Sequence, residues 1–545
     1  MATKTDADEI VRKYDDLKTN RSTYLSHLRE VAEYMAPTQA ASLFSLTEGG
    51  KRTERIYDGT QLRCVDNFAN GMYGNLTPVA TPWFALACRN KTLNNNPQVK
   101  TWLSDTTERM RDAINTSNAG MALFECYKYL AWAGSAVVYV DRGSRYALTF
   151  KTFNPAVCVW EEDPDGVVDS VYRIEKFTAR QCVQAWGEKV SSEIKQAYVK
   201  NENTRTFDII HAVYPRDDYD WSKRDSINMK YASVYLVKDS KHVLSEGGYS
   251  EFPYAVPRWD KADGETTGRS PGMNALPDVK QLQQVVYDTT VAHQMWLRPP
   301  VLASKESALS TNHFTPGKIV YHRTGERPEP WPISGDLRVS LEEKNSLREA
   351  IRRSFFNDLF IVLSDNVPGR TAFEVRQMVE EKMNILGPFL GRLMVELLDV
   401  MLARAFWVLY RNGYIVPVPR ELINQGLNVE YVGRLALAMR RYETSATAEA
   451  LQLTQSIAQA DQSVLDNWNM DEIVTGTAQR AGVPVKYLRP ASERDKMRQA
   501  RMEQMLAQQQ AMEAQAMAQQ VPSLSKAPEE GSPVDALIKA AGGGK

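Results

Sequence analysis

The residues of this chain whose spacing suggests chemistry are cations and a polar loop rather than nucleophiles. Arg338, Lys344, Arg348, Arg352 and Arg353 fall along one predicted helix, and Arg348 and Arg352, four apart, share a face. Such a row either pairs with Glu342, Glu343 and Glu349 on a solvated helix or touches phosphate, and the residues alone leave both open. Directly after it, Asn357 to Arg370 joins an apolar run, Leu359-Phe360-Ile361-Val362-Leu363, to Ser364, Asp365, Asn366, Pro368 and Gly369. That reads as a loop with an anchored start and a polar, movable end.

The search for catalysis is negative. No G-x-x-x-x-G-K followed by Ser or Thr occurs, and the nearest string, Gly49-Gly50-Lys51-Arg52, lacks the spacing and the hydroxyl. No H-E-x-x-H, G-x-S-x-G or dinucleotide fingerprint appears. His27, His211, His242, His293, His313 and His322 are dispersed and read as surface or hairpin residues. Asp163 and Asp165 sit in D-P-D-G, where turn geometry accounts for them without a metal. Five scattered cysteines form no C-x-x-C site, and their odd number points to a reducing compartment. The reading therefore assigns no catalytic residue, metal ligand or cofactor.

Two helices must position the cations and the loop. The first is expected from Pro277 to Arg298, with apolar residues at Leu276, Val279, Leu282, Val286 and Met295 and a Gln/Asp face opposite. Pro277 fits its opening turn and Pro299-Pro300 forbids continuation. The second is expected from Ser340 to Phe356, opened by a Ser340/Glu343 capping box. Between them lies a prolyl connector in which only Lys318–His322 looks like a strand. Bundle connections usually run ~2–8 residues, so a connector this long has work to do. The pattern predicts a projecting two-helix stalk with a module at its tip.

The rest of the chain is a scaffold for that stalk. Its 545 residues suggest three or four domains. Lys+Arg 66 against Asp+Glu 67 does not make a wholly basic nucleic-acid coat, though a local basic surface remains compatible. MATKTDADEI reads as no signal peptide. The apolar segment Leu386 to Tyr410 carries Arg392, Glu396, Asp399 and Arg404. Each costs roughly 2.5–3.5 kcal/mol at a bilayer centre, so the segment reads as a buried helix and no membrane contact is expected. Helices are predicted at 5–35, 60–75, 97–116 and 121–133. Period-two strands form hairpins around Arg142-Gly143-Ser144 and Pro164-Asp165-Gly166, making residues 80–260 an α+β body with an antiparallel sheet. A long helix, Thr371 to Arg411, should kink at Gly387-Pro388. Residues 434–482 read as Ala/Gln-rich helices ending at a G-V-P stop, and 492–520 as a Gln/Met/Ala helix, exposed or packed on copies of itself. Residues 521–545 read as a disordered tail.

The order of several strings carries a resemblance. Thr81-Pro82-Trp83-Phe84 follows the second helix, and Leu123-Phe124-Glu125 leads into Ala133-Gly134-Ser135-Ala136-Val137-Val138-Tyr139. Gly268-Arg269-Ser270-Pro271 opens the stalk before Leu276-Pro277-Asp278, and Arg370-Thr371-Ala372-x-Glu374-Val375-Arg376 starts the long helix. In this the sequence resembles the portal, or head-to-tail connector, proteins of short-tailed bacteriophages, over nearly its whole length.

The resemblance implies a non-enzymatic virion protein of α+β, mainly helical fold. Twelve copies would ring a channel for double-stranded DNA at one capsid vertex, after assembly in the host cytoplasm. Residues 1–272 and 371–430 would be the wing, 273–298 and 338–356 the stem, 299–337 the clip, 357–370 the tunnel loop and 431–520 the crown and C-terminal helices. Arg338, Lys344, Arg348, Arg352, Arg353, Ser364, Asp365, Asn366 and Arg370 would face the DNA channel. Lys305, Phe314, Lys318, Arg323, Arg327 and Trp331 of the clip would dock terminase and later tail adaptor and nozzle proteins. Val279, Leu282, Val286, Leu347, Ile351 and Phe355 would pack stem against neighbouring stem. Major capsid and scaffolding proteins are the other implied partners. A charge balance near zero suits a channel through which DNA slides, because each neutralised phosphate adds affinity. Two other classes stay open on the residues alone: a phage enzyme acting on DNA through scattered carboxylates, and a non-ring structural protein of the virion.

Overall fold

The computed structural model describes residues 7–39, 43, 49–90, 93, 96–202, 204–217, 219–220, 222–223, 225–297, 301–302, 329–330, 337–364, 385–422, 425–433, 450–457, 462–480, 489 and 491–524. The class is α+β and mainly helical. The stretch expected as one helix over 5–35 is two, α1 (Ala7–Asn20) and α2 (Ser22–Met35), broken at Arg21. The break lets one amphipathic stretch serve two cores. Ile10, Val11 and Tyr14 pack on a β-sheet, while Leu28, Val31 and Met35 join the main helical core.

That helical core is built by α3 (Thr60–Leu76), α4 (Pro97–Thr116) and α5 (Ala119–Ala133), with β1 (Phe84–Cys88) between α3 and α4. α4 starts where its sequence dictates: the Asn96 side chain accepts from the Gln98 N–H at 3.0 Å and Pro97 takes the first position. α5 ends at Gly134, whose φ of +75° suits glycine.

Both predicted hairpins form. β2 (Val137–Asp141) pairs with β3 (Thr149–Phe153), and β4 (Cys158–Glu162) with β5 (Val168–Thr178). In the second hairpin Asp163 Oδ1 accepts from the backbone N–H groups of Asp165 and Val167, both at 2.9 Å, and Gly166 takes φ +79°. The D-P-D-G string is a turn. Helices α6 (Ala179–Trp186) and α7 (Ser192–Val199) precede β6 (Thr206–Pro215), β7 (Tyr231–Val237) and β8 (Val243–Tyr249); β8 was not anticipated. Strands β4 to β8 form a five-stranded antiparallel meander, and β9 (Tyr254–Ala255) joins β2 on the edge opposite β3. Val137, Tyr139 and Tyr254 from the small sheet pack with Trp160, Val171 and Val213 from the large one. β10 (Asp260–Lys261) and β11 (Gly268–Arg269) then lead into the stalk.

The first stalk helix, α8 (Pro271–Leu297), begins six residues before Pro277, which therefore lies inside it. Pro271 is the opening proline, because Ser270 accepts the Met273 N–H on its hydroxyl at 2.8 Å and caps the helix there. β12 (Val301–Leu302) and β13 (Glu329–Pro330) pair, joining the two ends of the prolyl connector. The second helix, α9 (Leu337–Ser354), starts before Ser340, so Ser340 and Glu343 are no capping box. It stops at Phe356, a non-glycine residue at φ +56°. The expected loop then begins as a helix, α10 (Asn357–Ser364), with Leu359 and Phe360 buried. A five-residue apolar run reads as buried helix as readily as anchored loop. It packs on α3, where a Cβ at Gly71 would lie 2.2 Å from the Phe360 ring.

Helix α11 spans 385–411 among the described residues. It runs through Gly387-Pro388 and leaves α geometry at a π turn, Met394–Asp399. No described helix is long and apolar enough to cross a membrane. β14 (Leu427–Tyr431) pairs with β1, uniting two extended strings far apart in sequence. Residues 450–457 are helical, followed by α12 (Met470–Arg480) and α13 (Ala491–Leu524). The Lys318–His322 strand, the G-V-P stop and the part of the expected 521–545 tail from 525 on lie outside the described residues, while residues 521–524, expected as the start of that tail, continue α13.

Candidate functional site: the root of the helix pair

Two of the strings that set the sequence apart meet at the foot of α8. Gly134 and Gly268 lie back to back: a Cβ on Gly268 would stand 2.1 Å from the Gly134 carbonyl oxygen. Ser135 Oγ accepts the Gly268 N–H at 2.7 Å, Ser270 Oγ donates to the Trp132 carbonyl at 2.9 Å, and the Trp259 N–H donates to the Gly134 carbonyl at 2.8 Å. Only glycine admits two backbones at this distance. The end of α5 and the start of α8 thus form one joint.

About three turns along, α8 is clamped a second time. Gln283, 4% exposed, accepts the N–H groups of Tyr57 and Asp58 at 2.6 and 2.8 Å. Its amide donates to the Asp58 carbonyl at 3.1 Å and to Gln61 at 3.3 Å. The Asp58 carboxylate takes the Thr60 N–H and hydroxyl at 2.8 and 2.5 Å, and Arg348 Nε and Nη2 at 3.0 and 2.7 Å. Burial pushes that carboxyl up, but the Thr60 and Arg348 hydrogen bonds outweigh it and hold Asp58 below its usual range. The segment before α3 therefore ties both stalk helices together. Lys280 adds a surface ion pair to Glu30 on α2.

A third hub fixes α11 beneath the pair. Arg258, 2% exposed, donates from Nε and Nη2 to Glu396 at 3.1 and 2.6 Å, and pairs with Glu162 on β4. Further along, buried Arg404 reaches Asp141 at 3.1 Å and Glu251 at 3.0 Å, while Tyr431 donates a short hydrogen bond to Asp399. Glu396, Asp399 and Arg404 of the apolar segment thus find partners inside the protein, while Arg392 approaches Asp260 at 3.7 Å near the surface. An aromatic cluster joins this hub to the α9–α10 turn: Trp259 stacks on Phe389 at 5.0 Å and meets Phe356 at 5.8 Å and Phe68 at 5.0 Å. The polar groups here are spent on each other, and the arrangement can transmit force between the helix pair and the body.

The expected cations separate into committed and available ones. Arg348 is taken by Asp58, and Arg353 pairs with Glu349 at 3.0 Å on an exposed face. Lys344 is half-buried and Arg352 exposed. Arg338 lies in the first turn of α9 and Ser364 at the end of α10; Asp365, Asn366 and Arg370, with Lys305, Phe314, Lys318, Arg323, Arg327 and Trp331, lie outside the described residues. The expected stem-to-stem contacts need correction. Val279, Leu282, Ile351 and Phe355 are 0% exposed within the single chain, so they leave a neighbour nothing to touch. They hold α8 and α9 to their own body, because a stripe that looks outward-facing on an isolated pair faces α2, α3 and α5 here. Val286 and Leu347 are half-buried against the same core. His211 also differs from its reading as a surface or hairpin residue. It is buried in β6, bonded to Tyr254 at 2.7 Å and Ser233 at 3.0 Å, and burial, with Arg173 nearby, holds it well below its ordinary pKa. Among the described residues no group of three or more His, Cys, Asp or Glu is placed to hold a metal ion.

Sequence reasoning missed Gln283, Asp58 and Arg258. Gln283 carried a signal, since it occupies an apolar-stripe position with Val279, Leu282 and Val286 although it is polar. Comparison with known proteins adds the following. The family model for the bacteriophage head to tail connecting protein matches residues 7–488. A probable portal protein of Bordetella phage BPP-1 is 30% identical over 524 residues, covering 94% of each chain. The portal protein of Salmonella phage epsilon15 is 27% identical over 554 residues, covering 99% of each, and that of Enterobacteria phage T3 is 22% identical over 448 residues, covering 77% of this chain and 78% of its own.

Proposed function

This chain belongs to the bacteriophage head to tail connecting protein family, and from that premise we propose that it is a portal subunit of a short-tailed phage. In this reading twelve copies ring a channel through which double-stranded DNA is packaged and later ejected. The ring sits at one vertex of the virion, against the major capsid and scaffolding proteins. Residues 299–337, at the free end of the α8–α9 pair, are the docking surface for terminase and then for tail adaptor and nozzle proteins. The near end-to-end likeness to phage portal proteins carries the proposal. The joints at the root of α8 support it, since a stem that bears packaging load must be anchored at its foot.

Lys344 and Arg352 are the stem cations left to meet DNA, with Arg338 and the stretch from Ser364 to Arg370. Neighbour contact falls to apolar surface that the chain itself leaves uncovered, such as Tyr287 and Leu341, at 44% and 54% exposed. The role is structural and uses no cofactor. Native mass measurement of the purified chain tests the reading. A particle near twelve times 61.6 kDa is expected, and a monomer or small oligomer under assembly conditions would overturn it.

A further inference from the structure

Two buried arginines carry more charge and more hydrogen-bond donors than the described residues satisfy. Arg21, 8% exposed, stands at the break between α1 and α2, against β4, the edge strand of the five-stranded sheet. Its Nη1 donates to the Cys158 carbonyl at 2.6 Å, while Nε and Nη2 are buried and reach no acceptor. Arg173, 4% exposed, lies across from Cys158 in the β4–β5 register. Its Nη2 pairs with Glu175 at 2.8 Å, while Nε and Nη1 reach no acceptor either. His211, the partner of Arg173 on β6, is already bonded to Tyr254 and Ser233. The orphaned donors thus belong to two guanidiniums that flank one residue, Cys158.

The charge does not balance either. Arg21 and Arg173 face one carboxylate, Glu175, and among the described residues no carboxylate pairs with Arg21. The ionisable groups around Arg21 are Tyr24, Cys158 and Tyr14. Burial pushes all three up, Cys158 to about 12, so they stay neutral. A guanidinium does not escape burial by losing its proton. Aromatic rings offset part of the desolvation: Trp160 and Tyr24 lie 4.0 and 5.1 Å from Arg21, and Phe153 lies 4.1 Å from Arg173. A ring over a guanidinium leaves its in-plane N–H groups unmet. Water could accept from those groups, but it would leave the excess charge in place. A monovalent anion answers both needs.

We propose that a small inorganic anion of the halide class binds between Arg21 and Arg173, beside Cys158. The site is built within one chain, so it stands apart from the ring reading. Its occupant pins the α1–α2 break to the edge of β4, where the helical core and the sheet core part.

Chloride and bromide are the probes, used on the full-length chain. Amide exchange of the segments 21–25 and 158–162 is followed in sodium chloride and in sodium gluconate of equal ionic strength. A ligand held only by the closed state slows exchange by a factor of one plus its concentration over its dissociation constant. Protection should be at least about fivefold greater in about 300 mM chloride than in gluconate. The segment 275–285 at the root of α8 should exchange alike in both salts. Crystals grown in sodium bromide should show an anomalous peak between the two guanidiniums. Arg21→Met keeps the stem, removes the donors and should lose the chloride response, whereas Arg205→Met, at an exposed ion pair, should keep it. Where Arg21→Met fails to fold, the wild-type exchange and the bromide peak decide. Equal protection in the two salts, a response that survives Arg21→Met, or bromide crystals with no peak beside Arg21 would overturn the site.

Discussion

Replacing Gln283 by leucine isolates the clamp at the root of the stalk. Leucine keeps the side chain's bulk and suits the apolar stripe of Val279, Leu282 and Val286, so helix pattern alone makes the change neutral or favourable. The structure argues otherwise. Gln283 Oε1 is the acceptor for two backbone N–H groups, those of Tyr57 and Asp58, and its amide serves the Asp58 carbonyl and Gln61. A buried donor left without a partner costs about 1–3 kcal/mol. The Asp58 N–H is buried and bears the full cost, while Tyr57 lies nearer solvent and loses about 1 kcal/mol. Added apolar burial returns roughly 1 kcal/mol. The net loss is about 1–3 kcal/mol, confined to the foot of α8. Because a chain of this size does not unfold as one unit, amide hydrogen exchange is the assay of choice. Exchange between residues 275 and 285 should accelerate about 5- to 150-fold, since 1.4 kcal/mol is tenfold. Gln284→Leu, one residue away on the exposed side, should leave those rates unchanged. Unchanged exchange in Gln283→Leu, or the same effect from both variants, would refute the clamp.

Other expectations follow from the same contacts. Arg258→Met takes the guanidinium from half-buried Glu396, while Glu162 keeps Lys261, and should destabilise the body by about 3 kcal/mol, read as loss of soluble chain and a lowered melting temperature. Gly134→Ala combines φ +75° with a Cβ 2.4 Å from the Gly268 carbonyl oxygen; it should cost at least about 2 kcal/mol, measured by chemical unfolding, whereas Gly187→Ala has the strained φ but no such neighbour and should cost less. Asp58 has a lowered pKa in the fold, so its contribution to stability is present above the unfolded value of about 3.9 and is lost as pH falls through the lower folded value. Urea titrations of wild type and Asp58→Asn should differ by a constant amount from pH 5 to 8, and the gap should close only in stronger acid, below pH ~3.9.

What the sequence determined by itself is what neighbouring residues dictate to each other. Asn96 and Pro97 start α4 where expected, Gly134 ends α5, and Asp163 to Gly166 close the second hairpin through bonds spanning two to four residues. The two helices α8 and α9 were legible for the same reason, as were the strings that mark the family. Local pattern misjudged features whose cause lies far along the chain. It ran one helix through Arg21, because nothing nearby says that Tyr14 and Leu28 belong to different cores. It left residues 357–364 as a loop, although Phe360 finds its seat over Gly71 on α3. It assigned Leu282 and Ile351 to a neighbouring subunit when their own body buries them. The clamp that matters most, Gln283 and Arg348 on Asp58, bridges 225 and 290 positions of chain. Periodicity says that a face is buried; only the folded chain decides what buries it, because that partner is fixed by packing rather than by adjacent residues.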